Sequence, residues 1–368
     1  MLTFEKLSHD GDLGSLREDW NGLVVEDDRG VHGLDVTNTY EWARAVRDLQ
    51  LARHAKETIV VREQSRVVGV LSCYFDVFSN FRLRKLAPIT QINGVRSGWV
   101  LQPRSADRLK SLCEHLQQDI AKWDVLVFSV VEDSESHRAV VELDSAGVFQ
   151  IRELDRKRSP FIALADSIEE QYTRMDKKLA KDVQRRERKL RADGSVRLRV
   201  FVEEDETPEF LDAVVLIEQR SWKEDSGTSI TQNKSQQELY TTLAPVLASR
   251  QWLAGFVLYL NDEPIAYTYG VLFNGVFQNH KTSYVQDLRD KGPGNVLRVL
   301  EIDWLCKRGI RWYDFMGGCE TYKMKWGSSV YTKIKYALYN KTARGRLALL
   351  RETTKRRAES IAGRFSKQ

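Results

Sequence analysis

Long apolar runs are missing from this chain: no stretch approaches the ~18 residues that a bilayer crossing requires, so the sequence offers no membrane-spanning helix. Cysteine is scarce as well. Cys73, Cys113, Cys306 and Cys319 stand far apart, with no C-x-x-C and no Cys/His cluster at zinc-ligand spacing. A structural zinc and a disulfide framework are therefore not expected, and no metal is assigned. The first ten residues lack a basic segment followed by an apolar one, which argues against a secretory leader and makes the cytoplasm the expected location. Also absent are G-x-x-x-x-G-K-[ST], G-x-S-x-G and H-E-x-x-H, so NTPase, hydrolase and metalloprotease chemistry lack their residues.

What is present reads as a globular protein. Of 368 residues, 42% are hydrophobic and 30% charged, and the length calls for two domains or one duplicated unit. The net charge of +5 is a property of the tail: residues 341–368 hold nine Lys or Arg against Glu352 and Glu359, a local +7 that leaves −2 for the rest. In that tail Ala343, Leu347, Leu350, Ala358, Ile361 and Phe365 recur at helical spacing. The pattern predicts a basic amphipathic helix that packs on its own domain or meets an acidic partner, a membrane surface or RNA.

A coarse repeat runs through the chain. Strand-like residues 58–62, a polar turn at 63–66, strand-like 67–78 and Ser79-Asn80 match 255–260, 261–264, 265–273 and the Asn274-Gly275 hairpin signal. Further on, helical 106–121 leads into strand-like 123–128, as 295–307 leads into 312–315. The fold class expected is α/β in two similar halves. Between them Ser167 and Glu170 form a capping box that opens a predicted helix of about seven turns, ended by Asp193-Gly194. Ile168, Tyr172, Met175, Leu179, Val183 and Leu190 make its apolar stripe, and its polar face is dense in Lys and Arg, which suits a polyanion or a solvated face.

The most informative string is Arg289-Asp-Lys-Gly-Pro-Gly294, an R-x-x-G-x-G between strand-like 276–285 and the helix from 295. A helix start carries unpaired N–H groups and partial positive charge, so a glycine turn there can wrap a pyrophosphate with main-chain donors. Gly292 and Gly294 supply the backbone freedom, and Pro293 shapes the turn without adding a donor. No alternating βαβ series surrounds the string, as a dinucleotide fold would require.

This string resembles the coenzyme A loop of the GNAT acyltransferases. Residues 312–327, Trp-Tyr-Asp-Phe-Met-Gly-Gly-Cys-Glu-Thr-Tyr-Lys-Met-Lys-Trp-Gly, look like the last signature of the FemAB-like and CelD/BcsL-like branch. The likeness covers residues 160–335 well and the first half loosely. It implies two tandem GNAT-like lobes, each a mixed twisted sheet flanked by helices and joined by the long basic helix. The boundaries are 1–165 for an acceptor-side lobe, 166–194 for the bridging helix, 195–340 for a lobe that binds acyl-CoA, and 341–368 for the basic C-terminal helix. Residues 97–105 show no Gly-x-Gly, so the first lobe is not expected to bind coenzyme A.

Acyl transfer from a thioester to an amine needs a base, donors for the oxyanion and an acid for the thiolate. His280, the one histidine of the second half, is the candidate base, with a packed structural histidine as the alternative; Asp287 and Glu218 stand behind it. The resemblance points to main-chain N–H groups of residues 281–284 for the oxyanion, to Tyr322 as acid, and to Lys323 for an anionic group or the reacting carbonyl. Arg289, Gly292, Pro293, Gly294, Asn295 and Tyr284 are the coenzyme A candidates. Trp222, Asp314, Lys177, Lys181 and Arg185 are the substrate candidates.

The expected function is N-acyl transfer from acyl-CoA to an amine acceptor such as an amino sugar, an amino acid or a peptide-like amine, by direct attack. FemAB-like ligases take an amino acid from aminoacyl-tRNA, and the basic helix and tail also suit RNA. A non-catalytic GNAT-like scaffold that binds a partner through its tail is the third reading.

Overall fold

The computed structural model describes residues 1–7, 10–25, 30–78, 83–119, 123–352 and 354. The chain divides into two compact units: Met1–Val24 with Leu51–Arg156 and Lys333–Gln368, and Val25–Gln50 with Lys157–Thr332. Neither unit is continuous in sequence. Residues 25–50 join the second unit, and the end of the chain joins the first. Among the described residues the strands are β1 (Leu2–Leu7), β2 (Lys56–Glu63), β3 (Arg66–Phe78), β4 (Leu83–Pro88), β5 (Val125–Val131), β6 (Gln150–Ala163), β7 (Val196–Phe201), β8 (Leu253–Leu260), β9 (Glu263–Phe273), β10 (Val276–Tyr284), β11 (Trp312–Asp314) and β12 (Ser329–Tyr339). The fold is mixed α/β, with mixed sheets flanked by helices, as the sequence predicts.

In the first unit β1 to β4 pair antiparallel, each with the next, and β4 pairs with β5 in parallel. From Lys333 to Tyr339, β12 runs antiparallel to β5. Helices Ala106–Asp119 and Glu135–Ser145 cover this sheet, placing Leu109, Leu112, Leu116, Val140 and Leu143 in a core with Ile59, Leu71, Leu86, Leu126 and Phe128. Residues 79–80 and 120–122, where the sequence reading placed a turn and a helix end, lie outside the described residues. In the tail, 343–352 are helical. Ala348 and Leu349 pack against Leu83, Val125 and Tyr339, whereas Leu347 and Leu350 are exposed, so the packed face is turned away from the expected stripe. Ala358, Ile361 and Phe365 lie outside the described residues.

In the second unit the order is β6-β11-β10-β9-β8-β7, antiparallel except for β10 and β11, which are parallel. Asn274 and Gly275 both take positive φ, 49° and 70°, as a two-residue hairpin turn between β9 and β10 requires. The core joins Phe256, Phe277 and Tyr313 from the sheet to Val296, Leu297, Ile302 and Leu305 of helix Pro293–Cys306.

The predicted long helix is two helices, Ile168–Arg174 and Lys177–Asp193. Met175 between them is extended, with ψ 161°. The Asp176 N–H leaves the helical ladder and donates to Lys325 O at 2.8 Å, while the Asp176 carboxylate caps the second helix by accepting from the N–H groups of Lys178 and Leu179 at 3.0 and 2.9 Å. A distant carbonyl thus completes a break that an Asp side chain already favours locally.

Candidate active site

The site begins with a divergence of two parallel strands. β10 pairs with β11 over three residues, Val276–Gln278 against Trp312–Asp314, and then the two separate. On the far side β10 stays paired to β9, but its register shifts between Asn279 and Lys281, leaving His280 as the extra residue of a β-bulge. Val285 N–H bonds Ile265 O. By alternation Thr282 and Tyr284 turn their main-chain groups away from β9, and Lys223 Nζ reaches Thr282 O there. The opening between the strands is a cleft of about 720 Å³, lined by Asn279 through Tyr284, by Phe315 and Met316 beyond β11, and by the glycine turn.

Of the two turn glycines only Gly292 takes positive φ; Gly294 is already helical. Gly292 sits in the left-handed region at φ 60°, ψ 49° and precedes a 14-residue helix with Pro293 at its first position. Gly292 N–H bonds Arg289 O, and the N–H groups of Asn295 and Val296 both turn to Gly292 O at 3.1 and 3.3 Å. A Cβ on Gly292 would meet Arg186 Cδ at 2.6 Å, and one on Gly294 would meet Tyr284 Cδ1 at 3.2 Å. Arg186 is fixed there, its Nη1 donating to Asp290 O at 2.8 Å and its Nε to Asp182 at 2.5 Å.

Six basic residues are among those lining the cleft, Arg186, Lys223, Lys281, Arg289, Arg298 and Lys323, and no Asp or Glu is. Burial lowers the Lys223 pKa, against the opposing pull of Glu218. Burial also lowers that of Lys281, and the neighbouring Lys223 charge adds to it. For Arg298 burial works downward, but Tyr313 and Glu301 outweigh it and the pKa is raised. Ser283 Oγ is buried and has no hydrogen-bond partner among the described residues.

Nine of the sequence candidates line this cleft: His280, Tyr284, Arg289, Gly292, Gly294, Asn295, Trp222, Tyr322 and Lys323. His280 is socketed by the Trp42 and Tyr240 rings, at 4.8 and 6.5 Å between centroids, with Nε2 3.4 Å from Gln278 Oε1. Tyr322 is about half exposed, on the short helix Thr321–Met324. Lys323 Nζ, nearly buried, donates to Gly318 O at 3.1 Å and pairs with Glu320 at 2.8 Å.

The other candidates sit elsewhere. Glu218 is 1% exposed, accepting from Tyr267 OH at 2.6 Å and Ile230 N–H at 3.0 Å, with Lys223 Nζ at 3.6 Å. Its carboxylate is thus engaged below the cleft rather than open as a base. Asp314, fully buried, accepts from Met316 N–H and Tyr331 OH and holds the turn after β11. Pro293 is buried in the helix start, and Asp287 is exposed outside the cleft.

Lys177, Lys181 and Arg185 point outward; Arg186, one residue on, lines the cleft. The signal for Arg186 was present, since 179, 183, 186 and 190 share one face of the helix. Arg298 also had a signal: a lone charge inside the apolar run Val296-Leu-Arg-Val-Leu300. Lys223, Lys281 and Asn279 carry no comparable mark.

A splayed parallel strand pair thus faces a glycine turn at a helix start, and comparison with known proteins bears on this arrangement. Residues 177–324 match the model of the acetyltransferase (GNAT) domain, which supports a transferase. No curated protein matches the sequence. Among solved structures, FemX is similar with a TM-score of 0.62 at 11% identity, over 90% of this chain and 96% of that one. A conserved protein of unknown function from Bacteroides thetaiotaomicron gives 0.58 at 14% identity, over 92% and 100%. The C-terminal domain of a putative lysylphosphatidylglycerol synthetase from Agrobacterium fabrum gives 0.55 at 11%, over 93% and 96%. These likenesses concern the fold. Among the described residues no helix is long and apolar enough to cross a membrane, and no group of His, Cys, Asp and Glu is placed to hold a metal.

Proposed function

We propose that this protein is an N-acyltransferase that takes its acyl group from an acyl-CoA and passes it directly to an amine, in the cytoplasm. The observation that carries this reading is the glycine turn at the start of a long helix, opening onto the same cationic cleft as the unpaired edge of β10. The residues suit the donor. Gly294 and Asn295 at the helix start, with Arg186 and Arg289, would hold a pyrophosphate, and the missing Cβ of Gly292 keeps the turn clear of Arg186. The outward main-chain groups of Tyr284, and the N–H of Thr282 whose carbonyl takes Lys223 Nζ, would face the amides of an extended arm, and the orphan Ser283 hydroxyl is at hand on the same strand. When bound, the donor supplies an activated thioester carbonyl.

His280, on the bulge and without a carboxylate rival in the cleft, takes a proton from the incoming ammonium. Tyr322 gives one to the departing sulfur, and Lys323 with the β10 main chain faces the charge that develops on oxygen. Calorimetric titration with acetyl-CoA and longer acyl-CoAs tests the reading, repeated on Gly292→Val. Micromolar binding that the variant loses supports it. A folded protein that binds none overturns it.

A second reading rests on the outward basic face of Lys177, Lys181 and Arg185: the donor would be aminoacyl-tRNA. It requires salt-sensitive tRNA binding that charge reversal at these three positions removes; tRNA binding unchanged by that reversal discards it.

A further inference from the structure

Arg298 lies on helix Pro293–Cys306 one turn beyond the glycine turn, only 5% exposed, with its guanidinium at the cleft. Among the described residues no carboxylate comes within ion-pair distance of it, and its one hydrogen bond is a long one, Nε to Tyr313 OH at 3.4 Å. The nearest acid on its helix, Glu301, is already engaged: one oxygen accepts from Thr268 Oγ1 and the other from Tyr313 OH at 3.0 Å. Three rings surround the guanidinium, Phe315, Trp326 and Tyr322, at 5.2, 5.4 and 6.0 Å from its carbon. They flank it with π faces but offer no acceptor for its terminal N–H groups, which remain open to the cleft. A desolvated guanidinium in this state is a receptor built for a planar anion.

We infer that Arg298 is a specificity-determining residue that binds a carboxylate carried by one of the two substrates. This rests on the acyltransferase reading above. The same chemistry has two sources: a dicarboxylic acyl group on the donor, or the α-carboxylate of an amino-acid acceptor. Position favours a small anion over the pyrophosphate, because Arg298 shares Phe315 and Tyr322 with Lys323, and these belong to the reacting end of the cleft.

The test measures acetyl-, malonyl- and succinyl-CoA binding by calorimetry, and thiol release from acetyl-CoA with amino acids against their decarboxylated amines. The native chain should prefer the carboxylated member of one pair by on the order of 10- to 100-fold. Arg298→Gln should abolish that preference and Arg298→Lys, which keeps the charge without the fork, should restore part of it. Thermal melts of both variants separate a folding defect from a binding one. Acetyl-CoA binding with no carboxylate preference in either pair, or a preference that survives in folded Arg298→Gln, overturns the assignment while leaving the acyltransferase reading intact. If no acyl-CoA binds, that reading fails instead. Ligand-induced melting shifts with the amino acid and amine pairs alone then decide Arg298: a carboxylate-dependent shift lost in the Gln variant supports it, and none overturns it.

Discussion

Gly292→Ala probes the turn on which the acyl-CoA reading depends. At φ 60°, ψ 49° an L side chain costs about 1–2 kcal/mol. The new Cβ would also lie 2.6 Å from Arg186 Cδ and 2.7 Å from its Nη1. Arg186 cannot swing aside freely, since Asp182 and the Asp290 carbonyl hold its two ends. Moving it sacrifices one hydrogen bond and a partly exposed ion pair, together about 1 kcal/mol. The total, about 2–3 kcal/mol, corresponds to a Tm lower by roughly 4–10 °C.

Gly309→Ala is the internal standard. Its φ of 68° is nearly the same, and nothing lies within 4 Å of its notional Cβ, so it carries the backbone cost alone. Melting followed by circular dichroism, together with acetyl-CoA titration, reads both effects. Gly292→Ala should melt below Gly309→Ala and lose at least ~10-fold in affinity, about 1.4 kcal/mol, whereas Gly309→Ala binds as the native protein does. Equal melting of the two variants would refute the Arg186 contact, and native affinity in Gly292→Ala would refute the turn as the phosphate site.

Adjacent arginines separate geometry from composition: Arg186→Ala should weaken acyl-CoA binding by about 10-fold through a lost charge-assisted contact, with Arg185→Ala unchanged; the reverse pattern would remove Arg186 from the site. His280→Gln should lower kcat by about 10²- to 10⁴-fold with little change in acyl-CoA affinity, and an unchanged kcat would leave His280 only its packing against Trp42. Tyr322→Phe, at a half-exposed position, should reduce kcat without moving Tm; a full-rate variant excludes it as the acid. In the first unit, burial works against ionisation of Asp124, but Arg84 and Thr342 outweigh it and hold the pKa at about 2. A carboxylate depressed in the folded state stabilises above its unfolded value near ~3.9 and loses that contribution as pH falls toward 2, here about 2 kcal/mol. Urea denaturation at pH 6 and pH 2.5 should therefore show a larger acid loss for the native chain than for Asp124→Asn, and equal losses would contradict the ion pair.

Local features are legible in the sequence. Asn274-Gly275 requires a tight hairpin, an Arg-x-x-Gly-x-Gly at a strand-to-helix junction requires a left-handed glycine, and alternation against helical spacing separates strands from helices. Each is decided within a few residues by backbone sterics and side-chain period. Nine candidates around residues 222, 280–295 and 322–323 line the cleft, and they flank strand ends and turns whose positions the same local signals mark.

The remainder depended on contacts between residues far apart in sequence. The helix ends at Arg174 because Asp176 N–H finds Lys325 O, which lies about 150 positions away. Glu218 reads as a free carboxylate until Tyr267 and Ile230 close over it. Arg185 and Arg186 are equivalent in composition; the apolar stripe of Leu179, Val183 and Leu190 marks the face of Arg186, and the burial of Val183 and Leu190 in the core turns that face inward. The assignment of residues 25–50 to the second unit and of Lys333–Tyr339 to the sheet of the first has no local signal, because strand partners are chosen by burial and register across the whole chain. The sequence by itself determined the turn, the hairpin and the class of chemistry. Tertiary structure decided which charges from distant segments meet in one cleft, Lys223 and Lys281 among them, since proximity between such segments follows from packing and not from spacing along the chain.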